Sequence, residues 1–106
     1  MMQRQSFSFQ IRPGTLEEYQ RRHDEIWPEL VTELKDAGLS NYTLFKFDDE
    51  RIIGYVECEP DAATCFGKLA HADANARWST WFEDIIVSLT DDEGNMHSLR
   101  EIWHLD

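Results

Sequence analysis

Two neighbouring segments, Asn41–Phe47 and Ile52–Cys58, carry apolar side chains on both faces of an extended chain. Successive side chains of a strand point to opposite faces. Tyr42 and Leu44 therefore lie on one side and Phe45 and Phe47 on the other. A sheet made of such strands has to be covered twice. Asp48-Asp49-Glu50-Arg51 is a polar turn that joins the two segments as a hairpin. Upstream, Phe7, Phe9 and Ile11 alternate with Ser6, Ser8, Gln10 and Arg12, the period of a half-buried strand, which Pro13 and Gly14 end.

Helical patterns fill the gaps. Thr15 followed by Glu18 has capping-box spacing, and the helix it opens runs to about Lys35 or Ala37, with Gly38 as the stop. Pro28 falls inside that helix and predicts a kink or a loosened turn next to His23, since an interior proline costs roughly 3 kcal/mol. Pro60 opens a second helical region through Ala62, Ala63, Phe66, Leu69 and Ala70, broken near His71–Asp73, with Asp73 capping the next piece. Trp78, Trp81, Phe82, Ile85, Ile86 and Leu89 then recur at three and four residues, predicting an amphipathic helix. Thr90–Asn95 reads as a polar loop and Leu99–Leu105 as a closing strand.

The order is β-α-β-β-α-β, an α+β, ferredoxin-like arrangement with four antiparallel strands and both helices on one face. A second copy packed sheet to sheet covers the other face, which predicts a homodimer in the form of a dimeric α+β barrel. The 106 residues make a single domain, 1–106, and four Trp, three Tyr and six Phe exceed what one thin core needs.

A formal net charge of −11 argues against nucleic acid and anionic membrane partners, which both reward Lys and Arg. The N-terminus lacks the apolar stretch of a signal peptide, and no run approaches the ~18 apolar residues of a membrane span. Cys58 and Cys65 are not spaced as a redox or zinc motif, and read as reduced, semi-buried side chains of a cytoplasmic protein.

The chemistry concentrates in LEEYQRRHDEIWPEL. Tyr19, His23 and Trp27 stand four residues apart, so a continuous helix puts phenol, imidazole and indole in one row. A titratable ring among aromatics on an inward face is a small acid–base pocket, although a core histidine bonded to a backbone carbonyl is the plain alternative. Metal is disfavoured: His23, Asp24 and Glu25 are consecutive and point in different directions. There is no HExxH, Gly-rich phosphate loop or GxSxG elbow. Tyr42, Trp78 and Trp81 complete a set that suits a sugar, with indoles for its C–H face and polar groups for its hydroxyls; plain core is the competing reading of the two tryptophans. His71 and His97 read as surface residues, while His104, between Trp103 and Leu105, faces either a pocket or solvent.

At EEYQRRHDEIWPEL, Asn41-Tyr42, Arg77-Trp78 and the terminal LREIWHL, the chain resembles the L-rhamnose mutarotase family over nearly its whole length. The resemblance implies a dimeric, cofactor-free isomerase that interconverts the α and β anomers of L-rhamnose, with His23 as proton donor and Tyr19, Tyr42 and Trp78 on the sugar. One departure stands out. The family has two adjacent tryptophans where this chain has Trp78-Ser79, so Ser79 becomes a candidate contact, Trp81 a candidate replacement wall, and a related 6-deoxy sugar such as L-fucose a candidate substrate. Two other classes compete: an oxygenase on the same barrel, with haem held by His23 or His104, and a non-catalytic sugar-binding module.

Overall fold

The computed structural model describes residues 2–90, 92–93 and 96–106. Strand β1 (Gln3–Ile11) lies at the centre of an antiparallel sheet, with β2 (Leu39–Asp48), β3 (Arg51–Cys58), β4 (Ile86–Ser88) and β5 (Ser98–Leu99). The strand order is β2-β3-β1-β4, and β5 also pairs with β1. Helices α1 (Leu16–Asp24), α2 (Pro28–Asp36), α3 (Ala62–Leu69) and α4 (Asp73–Trp81) complete the ferredoxin-like α+β fold.

Alternation along β1 places Phe7, Phe9 and Ile11 in the core, and along β3 it does the same for Ile52, Val56 and Cys58. Gly54 pairs with Phe7 across the ladder, and the Phe7 ring occupies the space a Cβ at 54 would need, 2.3 Å from that position. The hairpin turn closes where the Glu50 amide donates to the Asp48 carboxylate at 2.9 Å. On the far face Phe45 pairs with Ile53. Phe47 there is 69 % exposed.

Several local expectations are corrected. The first helical region is two helices, not one kinked helix: α1 ends at Asp24 and Pro28 occupies the first turn of α2, where its missing amide hydrogen removes nothing. The Thr15–Glu18 capping box does not form. The Thr15 hydroxyl instead donates to the Arg12 carbonyl at 2.6 Å. Glu18 turns to Arg21 and Arg22, which hold its carboxyl down to about 2. Asp73 is not a cap either; its carboxylate accepts from Arg77 at 3.1 Å.

The amino end of α4 is closed from outside. Glu33 of α2 accepts from the Ala74 and Asn75 amides at 2.9 and 2.8 Å. A carboxylate on free amides at a positive helix end is favourable in both hydrogen bonding and charge. Replacing Glu33 with Ala is expected to lower stability by about 1–2 kcal/mol. The readout is a lower urea midpoint at unchanged slope.

The helix expected through Leu89 stops at Trp81. A 3-10 turn at Phe82–Asp84 follows, and Ile86–Ser88 becomes the strand that pairs with Gln10 and Ile11. The β-branched run Ile85-Ile86-Val87 suits a pleat as well as a helix, and the open edge of β1 decides between them. The closing strand expected over Leu99–Leu105 is confined to Ser98–Leu99. Beyond it the chain is irregular, with Ile102 and Trp103 85 % and 75 % exposed. The loop expected over Thr90–Asn95 lies partly outside the described residues. Cys58 and Cys65 are free but fully buried, not semi-buried. Burial pushes the Cys58 thiol up to about 11.

Candidate active site

A hollow of about 980 Å³ lies between the helices and the inner face of the sheet, at the upper end of the range for small-molecule sites. Its lining includes Tyr19, His23, Tyr42, Trp78 and Ser79. Thus residues from α1, β2 and α4 that are up to 60 positions apart converge on one space.

His23 is in the last turn of α1. Its Nδ1 lies 2.9 Å from the Tyr19 carbonyl oxygen. A carbonyl only accepts, so Nδ1 carries the hydrogen and donates it, and the tautomer leaves the Nε2 lone pair bare. The backbone-bonded histidine and the pocket histidine are therefore the same residue. Three aromatics hold the ring: Tyr19 at 4.4 Å between centroids, Phe82 at 5.2 Å, and Trp78 edge-on at 5.3 Å. Burial lowers the imidazole pKa below its ordinary value; the Tyr19 carbonyl and the Asp24 charge oppose this without cancelling it.

The two phenols face the same space. Tyr19 is 5 % exposed, and burial raises its hydroxyl above the ordinary phenol range. Tyr42 retains 40 % of its surface yet its phenol is pushed up to about 12, chiefly by burial. The ring is surrounded by protein and its free surface opens into the hollow. Among the described residues neither phenol hydroxyl has a protein partner, so both are available to a ligand. Among the described residues, too, no group of three or more His, Cys, Asp or Glu is placed to hold a metal ion.

Two aromatic residues lie elsewhere. The break before Pro28 removes Trp27 from the Tyr19–His23 row. Trp27 stacks on Trp81 at 5.6 Å and 13°, and Trp81 is not part of the hollow's lining. The Arg22 guanidinium covers the other tryptophan, 4.5 Å from the Trp81 ring centre. Arg22 is itself buried, donating to Glu18 at 2.8 Å, to Asp84 at 3.0 and 3.1 Å and to the Trp81 carbonyl at 2.8 Å. It thereby fixes the His23 helix to the turn that carries Phe82. Nothing in the sequence spacing of Arg22 marks a partner 62 residues away. Asn75 and Gln20 in the lining were missed for the same reason. His104 sits on the exposed tail, paired with Asp106 at 2.8 Å.

The family model described as L-rhamnose mutarotase matches residues 4–105. An L-rhamnose mutarotase of Oceanobacillus iheyensis is 33 % identical over 106 residues, covering 99 % of this chain and all of the relative. That of Acidiphilium cryptum is 36 % identical over 105 residues, covering 98 % and 99 %. The crystal structure of an L-rhamnose mutarotase from Formosa agariphila superimposes with a TM-score of 0.78 at 25 % identity, covering 98 % of this chain and 99 % of that one. On these grounds the chain belongs to the L-rhamnose mutarotase family.

Proposed function

We propose that this protein is a cofactor-independent isomerase that opens the hemiacetal ring of L-rhamnose and recloses it on the other face, interconverting the α and β anomers. The observation that carries this reading is the bare Nε2 of His23, held by the Tyr19 carbonyl in a hollow lined by two phenols that have no hydrogen-bond partner among the described residues. Ring opening removes a proton from the anomeric hydroxyl and delivers one to the ring oxygen. An imidazole near neutrality exchanges protons in either direction. The uncatalysed reaction is not very slow, so a positioned acid–base pair suffices and no metal or covalent nucleophile is needed. Trp78 offers an indole to the C–H face of the sugar, and Tyr42 and Ser79 offer hydroxyls. Trp81 acts behind that wall, as the support that packs against Trp78 at 5.6 Å.

Exchange NMR on L-rhamnose tests the reading. Saturation transfer between the two anomeric signals should rise with enzyme concentration; a rate equal to the buffer rate at every concentration would refute it. The polar Ser79 in the lining supports a second substrate, L-fucose, and the same experiment on both sugars ranks them. The oxygenase and non-catalytic readings have less behind them, since the relatives carry the mutarotase name and His104 lies on the tail.

The exposed Phe45, Phe47, Ile102, Trp103 and Leu105 support a homodimer in which the uncovered sheet face of one copy packs against that of another. Phe47→Asp should yield monomers by light scattering, with an unchanged far-ultraviolet spectrum. An intact dimer in that variant would place the interface elsewhere. The acidic surface fits a cytoplasmic protein that engages neither nucleic acid nor membranes, and among the described residues no helix is long and apolar enough to cross a membrane.

A further inference from the structure

We infer that Asn41 is a positioning residue for Tyr42: by taking the left-handed place in a β-bulge, it sets the phenol, and not its own side chain, toward the hollow. This rests on the mutarotase reading above, in which Tyr42 offers its hydroxyl to the sugar, and adds what places that hydroxyl.

The register of the hairpin carries the argument. Leu39 pairs with Cys58 and Ser40 with Glu57, but the next pair is Thr43 with Tyr55. Asn41 and Tyr42 together therefore stand against one residue, Val56. Ile52, Val56 and Cys58 of β3 are buried, so the side chain opposite Val56 is the one that faces inward. Two residues compete for that single position. In an unbroken pleat counted from Leu39 the inward one is Asn41, and Tyr42 and Leu44 turn to the outer face. A bulge takes up the extra residue and reverses this. Tyr42 meets the Phe7 ring edge-on at 6.2 Å, and Leu44 packs on the buried core.

Asn41 is suited to the bulged place. Its φ is 47°, and among the described residues no other non-glycine residue has a positive φ. Asparagine tolerates that region far better than a branched side chain does. Its side-chain amide donates to Glu57 Oε1 at 2.7 Å, while the Tyr55 hydroxyl donates to Glu57 Oε2 at 2.8 Å. These bonds hold the Glu57 carboxyl below its ordinary value, that from Asn41 contributing most. The Thr43 hydroxyl donates to the Asn41 carbonyl at 3.3 Å. The bulged residue is thus tied to β3 by its side chain and to β2 by its backbone. None of Asn41, Thr43, Tyr55 and Glu57 lines the hollow, so Asn41 reaches the sugar only through Tyr42.

Asn41→Val favours the pleat and resists a positive φ, which sends valine inward and displaces Tyr42. Asn41→Gly takes the observed backbone freely. We expect the valine variant to raise KM for L-rhamnose about fivefold, the worth of one hydrogen bond, at unchanged kcat. The glycine variant should stay within about twofold of the wild type. In a Tyr42→Phe background, Asn41→Val should change KM by less than about twofold. A full rise there would show an effect that bypasses Tyr42 and overturn the inference, as would a glycine variant as impaired as the valine one. If the valine variant does not fold, Asn41→Ala replaces it, and a KM no higher than that of Asn41→Gly counts against the inference. Nuclear Overhauser contacts between the Tyr42 and Phe7 rings read the placement with no sugar present. They are expected in the wild type and in Asn41→Gly and lost in Asn41→Val; their persistence at full strength in Asn41→Val overturns the inference. If the wild-type protein exchanges no anomers, the mutarotase reading falls, and these ring contacts still determine whether Asn41 places Tyr42.

Discussion

Replacing His23 with glutamine is expected to lower the enzyme-dependent exchange rate of L-rhamnose anomers by about 10²- to 10⁴-fold, the range a positioned acid or base contributes. Glutamine can still hydrogen-bond but cannot carry a proton between two sugar oxygens. Saturation-transfer NMR on the folded variant reads the loss, and retention of more than about a tenth of the rate would remove His23 from the mechanism. The pH profile gives an independent check. Burial holds the folded pKa below the ordinary 6.5 or so of histidine, and the lone pair on Nε2 must be free. Activity is therefore expected to be flat above about 6.5, falling on the acid side with a midpoint below that value. The same shift links to stability. Between the folded and unfolded pKa values the unfolded chain binds the proton more readily, so the contribution of His23 is complete above about 6.5 and is lost as pH falls through the folded value. The His23→Gln variant should lack that part of the acid sensitivity.

Gly54→Val is expected to lower stability by about 3 kcal/mol, the upper end of ordinary overpacking. In a chain of about this size each kcal/mol shifts Tm by roughly 4–8 °C. The Phe7 ring meets a Cβ at 54 at 2.3, 2.6 and 2.8 Å through three of its carbons. The ring lines the hollow, so a displacement of it alters that space. Reduced sugar affinity should accompany the lower Tm. A melting curve unchanged within 2 °C or so would mean that the ring is not held as described.

Much of this architecture is legible in the residues themselves. The alternation of Phe7, Phe9 and Ile11 marks β1, and the two-faced pattern of 41–47 and 52–58 marks the hairpin with one face to helices and one left bare. Tyr19, His23, Tyr42, Trp78 and Ser79 are named as candidates from local pattern and family likeness, and the fold gathers them around one space. What escapes is set by contacts between distant positions. The recurrence of Trp78, Trp81, Phe82, Ile85 and Ile86 at three and four residues fits a helix. Only the free edge of β1 at Gln10–Ile11 turns Ile86–Ser88 into a strand. Glu33 closing α4 and Arg22 reaching Asp84 are likewise invisible to any window of sequence, because each bond joins helices that the chain visits separately. Trp27 leaves the Tyr19–His23 row for a different reason: Pro28 begins a new helix rather than bending an old one.

The Glu33 clamp sits one turn from Trp78 and Ser79. The segment that carries Trp78 and Ser79 to the hollow is thus pinned at its root by a residue outside the hollow's lining. Trp78 is tied by ring contacts to His23, Trp27, Trp81 and Phe82, so Ser79 is the position of the two where a side chain can be exchanged while the scaffold beneath it stays put, a natural place for preference to drift between closely related monosaccharides.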